Sequence, residues 1–126
     1  MTTKTKSVSK VLTEARKLVK KGWIRGEIYE AGSYCAYGAI IKAGTGRNPD
    51  FVSEYNMARH SGVSDTVFLL GTLVASQPYG DRHDDFLDYN YFSTRITTFN
   101  DSWFNSKADV LLAFDEAVKL AKKMGV

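Results

Sequence analysis

Nine residues in the first third of the chain constrain its fold more than any others: Gly32-Ser33-Tyr34-Cys35-Ala36-Tyr37-Gly38-Ala39-Ile40. Ser33 is placed to cap a helix whose first turn contains Cys35. A glycine inside a helix costs about 1 kcal/mol relative to alanine, so Gly38 marks a point where another backbone comes close. Ala36 and Ala39 widen the small face, and Ile40 and Ile41 complete an apolar side. The pattern predicts a short, buried central helix, ended by Gly44-Thr45-Gly46, with the rest of the chain packed on it.

The two ends supply the bulk that such a slim helix lacks. From Ser7, apolar residues recur at Val8, Val11, Leu12, Ala15, Leu18 and Val19, the spacing of an amphipathic helix. Lys17, Lys20 and Lys21 suit its dipole, and Gly22 stops it. At the other end, Ser106 and Asp109 are spaced as a capping box, with aspartate replacing the usual glutamate. Val110, Leu111, Phe114, Ala117, Val118 and Ala121 form the buried stripe of that last helix.

Between these landmarks, Trp23 to Glu30 reads as a short strand ended by Ala31-Gly32. Asn48-Pro49-Asp50 opens a third helix running to about Arg59, closed by His60-Ser61-Gly62. Ser64 caps a fourth, apolar helix through Val74. Asp81 to Tyr91 is a short helix or an ordered loop. Phe92 to Phe99 alternates enough to be a strand, ended by Asn100-Asp101. The expected architecture is α+β: one compact domain over 7–126, with four to five helices around a small two- or three-stranded sheet, preceded by a disordered basic tail at 1–6.

Composition narrows the function classes. At 126 residues, 44% hydrophobic and 25% charged, the chain suits one domain with one core. No run of roughly 18 apolar residues spans a membrane, and the basic start lacks the apolar segment of a secretory signal. A single cysteine excludes an internal disulfide and a cysteine-based zinc cluster, and suits a reducing cytoplasm. The net charge of +3 conceals an asymmetry: residues 1–26 carry eight Lys/Arg against Glu14 alone, and the remainder has more acids than bases. The basic segment is read as the solvated face of the first helix, with nucleic acid as the alternative partner.

Three landmarks occur in order: Gly22-Trp23-x-x-Gly26, then Gly32-x-x-Cys35-Ala36-x-Gly38-Ala39-Ile40, then Ile96-x-x-Phe99-Asn100-Asp101. In this the chain resembles a family of small bacterial and phage proteins classed as a domain of unknown function. The resemblance covers roughly 8–44 and 93–121, with Phe99 where tryptophan is commoner; the middle, 45–92, matches nothing and is longer than usual. It implies kinship of fold and lends no activity, substrate or catalytic residue.

Cys35 is the sharpest chemical candidate, because a thiol at a helix start can be acidified toward a thiolate. A papain-like arrangement needs a cysteine, then a histidine base, then an Asn or Asp orienter; Cys35, His60 or His83, and Asn100 or Asp101 supply that order. Both histidines lie outside the shared motifs, and small neighbours suit a structural cysteine equally well. Asn100-Asp101 serves either backbone satisfaction or a ligand contact near Cys35. The candidate ligand-binding residues are Trp23, Arg25, Tyr37, Asn100 and Asp101. The acids at Asp81, Asp84, Asp85 and Asp88 have oxygen-rich spacing suited to Mg²⁺ or Ca²⁺, but read as a solvated loop, so no metal site is assigned. The match of Asp84-Asp85-x-x-Asp88 to an isoprenoid diphosphate motif fails on chain size, Gly44-Thr45-Gly46-Arg47 lacks a phosphate loop's ending, and no cofactor is called for.

Tyr89, Tyr91, Phe92, Trp103 and Phe104 could stack on single-stranded nucleic acid, yet in sequence they sit beside acids rather than lysines. The leading expectation is a small cytoplasmic accessory protein, phage or mobile-element encoded, that binds a macromolecular partner or small ligand. A Cys35 hydrolase or transferase using His60 or His83 is the first alternative. Nucleic-acid binding through the basic first helix is the second.

Overall fold

The structure, a computed structural model, describes residues 6–49, 53–75 and 85–126. Six helices and one two-stranded antiparallel sheet are found among them: α1 (Val8–Lys21), β1 (Tyr29–Glu30), β2 (Ser33–Tyr34), α2 (Ala36–Thr45), α3 (Glu54–Ala58), α4 (Ser61–Val74), α5 (Asp85–Asp101) and α6 (Lys107–Met124). The α+β class holds, with one helix more than the upper expectation.

The central helix is α2. Every residue from Ala36 to Ile41 is buried, and α1, α4, α5 and β2 all contact it. Its slimness has a direct cause: a Cβ on Gly38 would lie 2.2 Å from the Ile28 carbonyl oxygen. The loop ahead of β1 therefore rests on the α2 backbone itself. At its far end Gly46 takes a left-handed conformation (φ 79°) and its N–H donates to the Lys42 carbonyl.

Helix α1 packs on both α2 and α6. Ser7 Oγ caps it by accepting from Lys10 N–H, and Val8, Val11, Leu12, Ala15 and Val19 are buried, as the periodicity requires. Each such side chain contributes about 1.5–3 kcal/mol when fully buried, alanine less. Lys6 donates to Glu14 Oε2 (2.7 Å) and to the Ala43 carbonyl (2.8 Å), tying the chain ahead of α1 to the body. Helix α6 carries the full capping box, Ser106 Oγ accepting from Asp109 N–H and the Asp109 carboxylate accepting from Ser106 N–H, with Val110, Phe114, Ala117 and Ala121 buried.

Several local expectations were overridden. The strand expected from Trp23 contracts to Tyr29–Glu30, because Gly26 turns the chain at φ 86°. It pairs with Ser33–Tyr34 across a two-residue turn, Ala31 and Gly32, both at positive φ (49° and 88°), as tight hairpins need. Ser33 is thus a strand residue, and Cys35 caps α2 in its place. The third helix starts at Glu54, capped by Ser53; 50–52 lie outside the described residues, and Asn48 instead accepts a hydrogen bond from Tyr34 OH (2.7 Å). His60 does not end a helix followed by a Ser64 cap: it caps α4 itself, and Ser64 is buried inside that helix. The strand expected over Phe92–Phe99 is helical, part of α5. Among its described side chains Tyr89, Ser93, Ile96 and Asn100 are buried, at helical spacing, so packing on α2 and α4 outweighs the β propensity of Ile96, Thr97 and Thr98.

Gly38→Ala sets about 1 kcal/mol of gained helix propensity against a clash with fixed backbone. The expected net loss is about 2–3 kcal/mol in urea unfolding; a variant as stable as the parent would contradict the close approach.

Candidate functional site

The three sequence landmarks meet at the side chain of Asn100. It is fully buried in the last turn of α5, and all its hydrogen-bonding capacity is used. Oδ1 accepts from Trp23 Nε1 (2.7 Å) and from Ala36 N–H (3.0 Å), while Nδ2 donates to the Ile24 carbonyl (3.0 Å) and to Asp101 Oδ1 (2.9 Å). The same Asp101 oxygen accepts from Gly26 N–H (2.9 Å). One amide thus fastens the Gly-Trp loop, the start of α2 and the end of α5. Arg25 closes the outside, its guanidinium 5.0 Å from the centre of the Trp23 ring and donating to the Asn105 carbonyl.

Beside this junction opens a cleft of about 400 Å³, between the loop at Gly26–Ile28, the start of α2 and one face of α5. Cys35 and Tyr37 form one wall; Ser93, Thr97 and Asp101, four residues apart on α5, form the other, with Thr94 beside them. Glu27 supplies a second carboxylate, and among the described residues no lysine, arginine or histidine lines the cleft. Beneath it Tyr37 OH and Tyr89 OH lie 2.6 Å apart, both buried.

Cys35, the candidate nucleophile, sits in an environment that opposes that role and suits the structural one. Its Sγ accepts from Gly38 N–H (3.3 Å) as the cap of α2, and the residue is 2% exposed. Burial pushes the thiol pKa up to about 11; backbone N–H groups of Gly38 and Tyr37 pull it down less strongly, and the negative charge of Asp101 raises it further. At such a value roughly one thiol in ten thousand is ionised at pH 7.

Of the other candidates, His60 lies outside the cleft lining, and its Nδ1 accepts from Val63 N–H (3.3 Å) at the start of α4. His83 and the acids at Asp81 and Asp84 lie outside the described residues. Trp23, Arg25, Asn100 and Asp101 are brought together with the start of α2, and Tyr37 joins them through the cleft. Ser93, Thr94 and Thr97 were not among the candidates. Their signal was the four-residue spacing Ser93-Thr97-Asp101, hidden while this segment was read as a strand. Among the described residues no three His, Cys, Asp or Glu side chains converge on a metal position, and no helix is long and apolar enough to cross a membrane.

A family model described as a family of unknown function, DUF6197, matches residues 3–120. The match runs through 45–92, which the sequence motifs alone had left unplaced. No curated protein and no solved structure matches the chain.

Replacing Asn100 by alanine strands the Trp23 indole N–H, the Ala36 N–H and the Ile24 carbonyl, at about 1–3 kcal/mol for each buried group left unpaired. Asn100→Ala is expected to cost about 3–5 kcal/mol in chemical denaturation, and a loss below about 1 kcal/mol would mean the junction is not structural. The raised thiol pKa also has a sign. Between 9.0, the unperturbed value, and about 11 the folded state holds a proton that the unfolded state has lost, so stability falls as pH rises through that window. Relative to Cys35→Ser, the parent should lose on the order of 2–3 kcal/mol from pH 9 to 11. Equal pH profiles for the two proteins would refute the buried thiol.

Proposed function

We propose that the chain, which belongs to the DUF6197 family of unknown function, is a binding protein whose ligand occupies the cleft between the start of α2 and the Ser93-Thr97-Asp101 face of α5. The observation that carries this reading is the division of labour around Asn100. The residues of the shared motifs satisfy one another, and in doing so hold open a polar cleft whose volume lies within the usual range for small-molecule sites. Its described lining favours a neutral or cationic ligand rich in donors: two carboxylates and several hydroxyls face it, and none of the described lining residues is cationic. An anion would meet Asp101 and Glu27 with no cation among the described lining residues to offset them.

The neutral thiol of Cys35 fits a wall better than a nucleophile, and the one described histidine spends Nδ1 on a helix cap. Binding is therefore preferred over covalent chemistry. The motif resemblance supports an accessory protein of a bacterium, phage or mobile element, and a lone free thiol suits the cytoplasm.

The test is a two-dimensional NMR titration with small polyols and primary amines. Perturbation of the Cys35, Thr97 and Asp101 amides, abolished by Thr94→Phe and kept in Cys35→Ser, is the expected result. Perturbations confined to other surfaces would reject the cleft. Loss of function in a folded Cys35→Ser variant would return the reading to thiol chemistry.

A further inference from the structure

The turn between α5 and α6 presents Trp103 at 90% and Phe104 at 95% exposure, the two most exposed of the large apolar side chains described. They stand on ordered backbone. Asn105 N–H donates to the Ser102 carbonyl (3.1 Å), which makes the two aromatics the central residues of a β-turn. Phe104 N–H donates to Ser102 Oγ (3.3 Å), and Asn105 Nδ2 donates to the Phe99 carbonyl (2.9 Å). The fold thus holds two adjacent rings in water and forgoes about 1.5–3 kcal/mol of burial for a side chain of this size.

In sequence these rings follow an acidic segment; in space they share one end of the molecule with cations from the end of α1, the loop after it and the start of α6. Arg25 donates to the Asn105 carbonyl, one residue beyond Phe104. Lys107 Nζ donates to the carbonyl of Lys20 (2.7 Å), which brings the exposed Lys20-Lys21 end of α1 to the same place. Of the described carboxylates at this end, Asp101 accepts from Gly26 N–H and Asp109 from Ser106 N–H, while Glu27 lines the cleft. The end is therefore aromatic at its tip, with four cations around it against the carboxylates of Asp101 and Asp109.

We propose that this end is a binding surface for single-stranded nucleic acid, on which Trp103 and Phe104 stack with bases while Lys20, Lys21, Arg25 and Lys107 meet phosphates. Adjacent exposed rings beside a cationic track are the two parts such binding needs, and the cations match a polyanion. A pocket on a partner protein suits the rings but not the lysines, which are depleted at protein interfaces. The surface is separate from the cleft reading and stands without it.

The test is fluorescence anisotropy of a short labelled oligothymidylate titrated with the full chain. Binding at low salt should weaken as salt rises from about 50 to 200 mM. Trp103→Ala and Phe104→Ala should each weaken it by about tenfold with unchanged melting temperature, whereas Trp103→Phe retains most of the affinity. The double variant Lys20→Glu/Lys21→Glu should lose affinity and flatten the salt dependence. The proposal is overturned by no anisotropy change at low salt, by binding indifferent to both aromatic variants, by preference for duplex over single strand, or by sedimentation with anionic phosphatidylglycerol vesicles in the absence of oligonucleotide binding.

Discussion

A single buried amide holds this molecule in register. Asn100 gathers backbone or side-chain groups from Trp23, Ile24 and Ala36, segments 64 to 77 residues away in sequence, and does so with both lone pairs and both N–H bonds employed. Closing loops of that length has an entropic cost, and a buried amide left half-paired would add to it rather than repay it. Complete satisfaction explains why the junction tolerates burial. It also fixes which way the amide faces, since two donors converge on one end and two acceptors on the other.

What the junction positions follows from geometry. The Gly22–Gly26 loop is drawn against the end of α5, which leaves the next residues to cross α2 at Gly38, where only a bare backbone admits the Ile28 carbonyl. That crossing buries the Cys35 thiol and at the same time bounds the polar cleft beside it. The thiol's reluctance to ionise and the existence of a cleft thus have one cause: a loop pressed onto a slim helix. A helix start would ordinarily favour the thiolate, but here desolvation prevails over the local N–H groups.

Cleft and aromatic turn are neighbours along α5, the first ending at Asp101 and the second beginning at Ser102. Asn100 and Asp101 belong to the cleft side, whereas the turn is fixed by hydrogen bonds to the Phe99 and Ser102 carbonyls. The apolar groove lined by Val8, Phe68, Leu69, Leu120 and Met124 lies at the opposite end of α6, remote from both.

The sequence alone determined the elements whose signals are local. Periodicity and capping residues defined α1 and α6, and small residues marked α2 as buried, because side-chain spacing and cap chemistry act within one helical turn. It also named most residues of the junction through their motifs. Tertiary structure decided what local preference could not. It turned Phe92–Phe99 from an expected strand into part of α5, since burial of Tyr89, Ser93, Ile96 and Asn100 on one face outweighs the β propensity of a Thr-rich run. It made Cys35 a cap with a neutral thiol and His60 a cap for α4, because burial and backbone neighbours, absent from any linear pattern, set their chemistry. And it carried Arg25, Lys20 and Lys107 to the aromatic turn, for charges some eighty residues apart in sequence become neighbours only when helices pack.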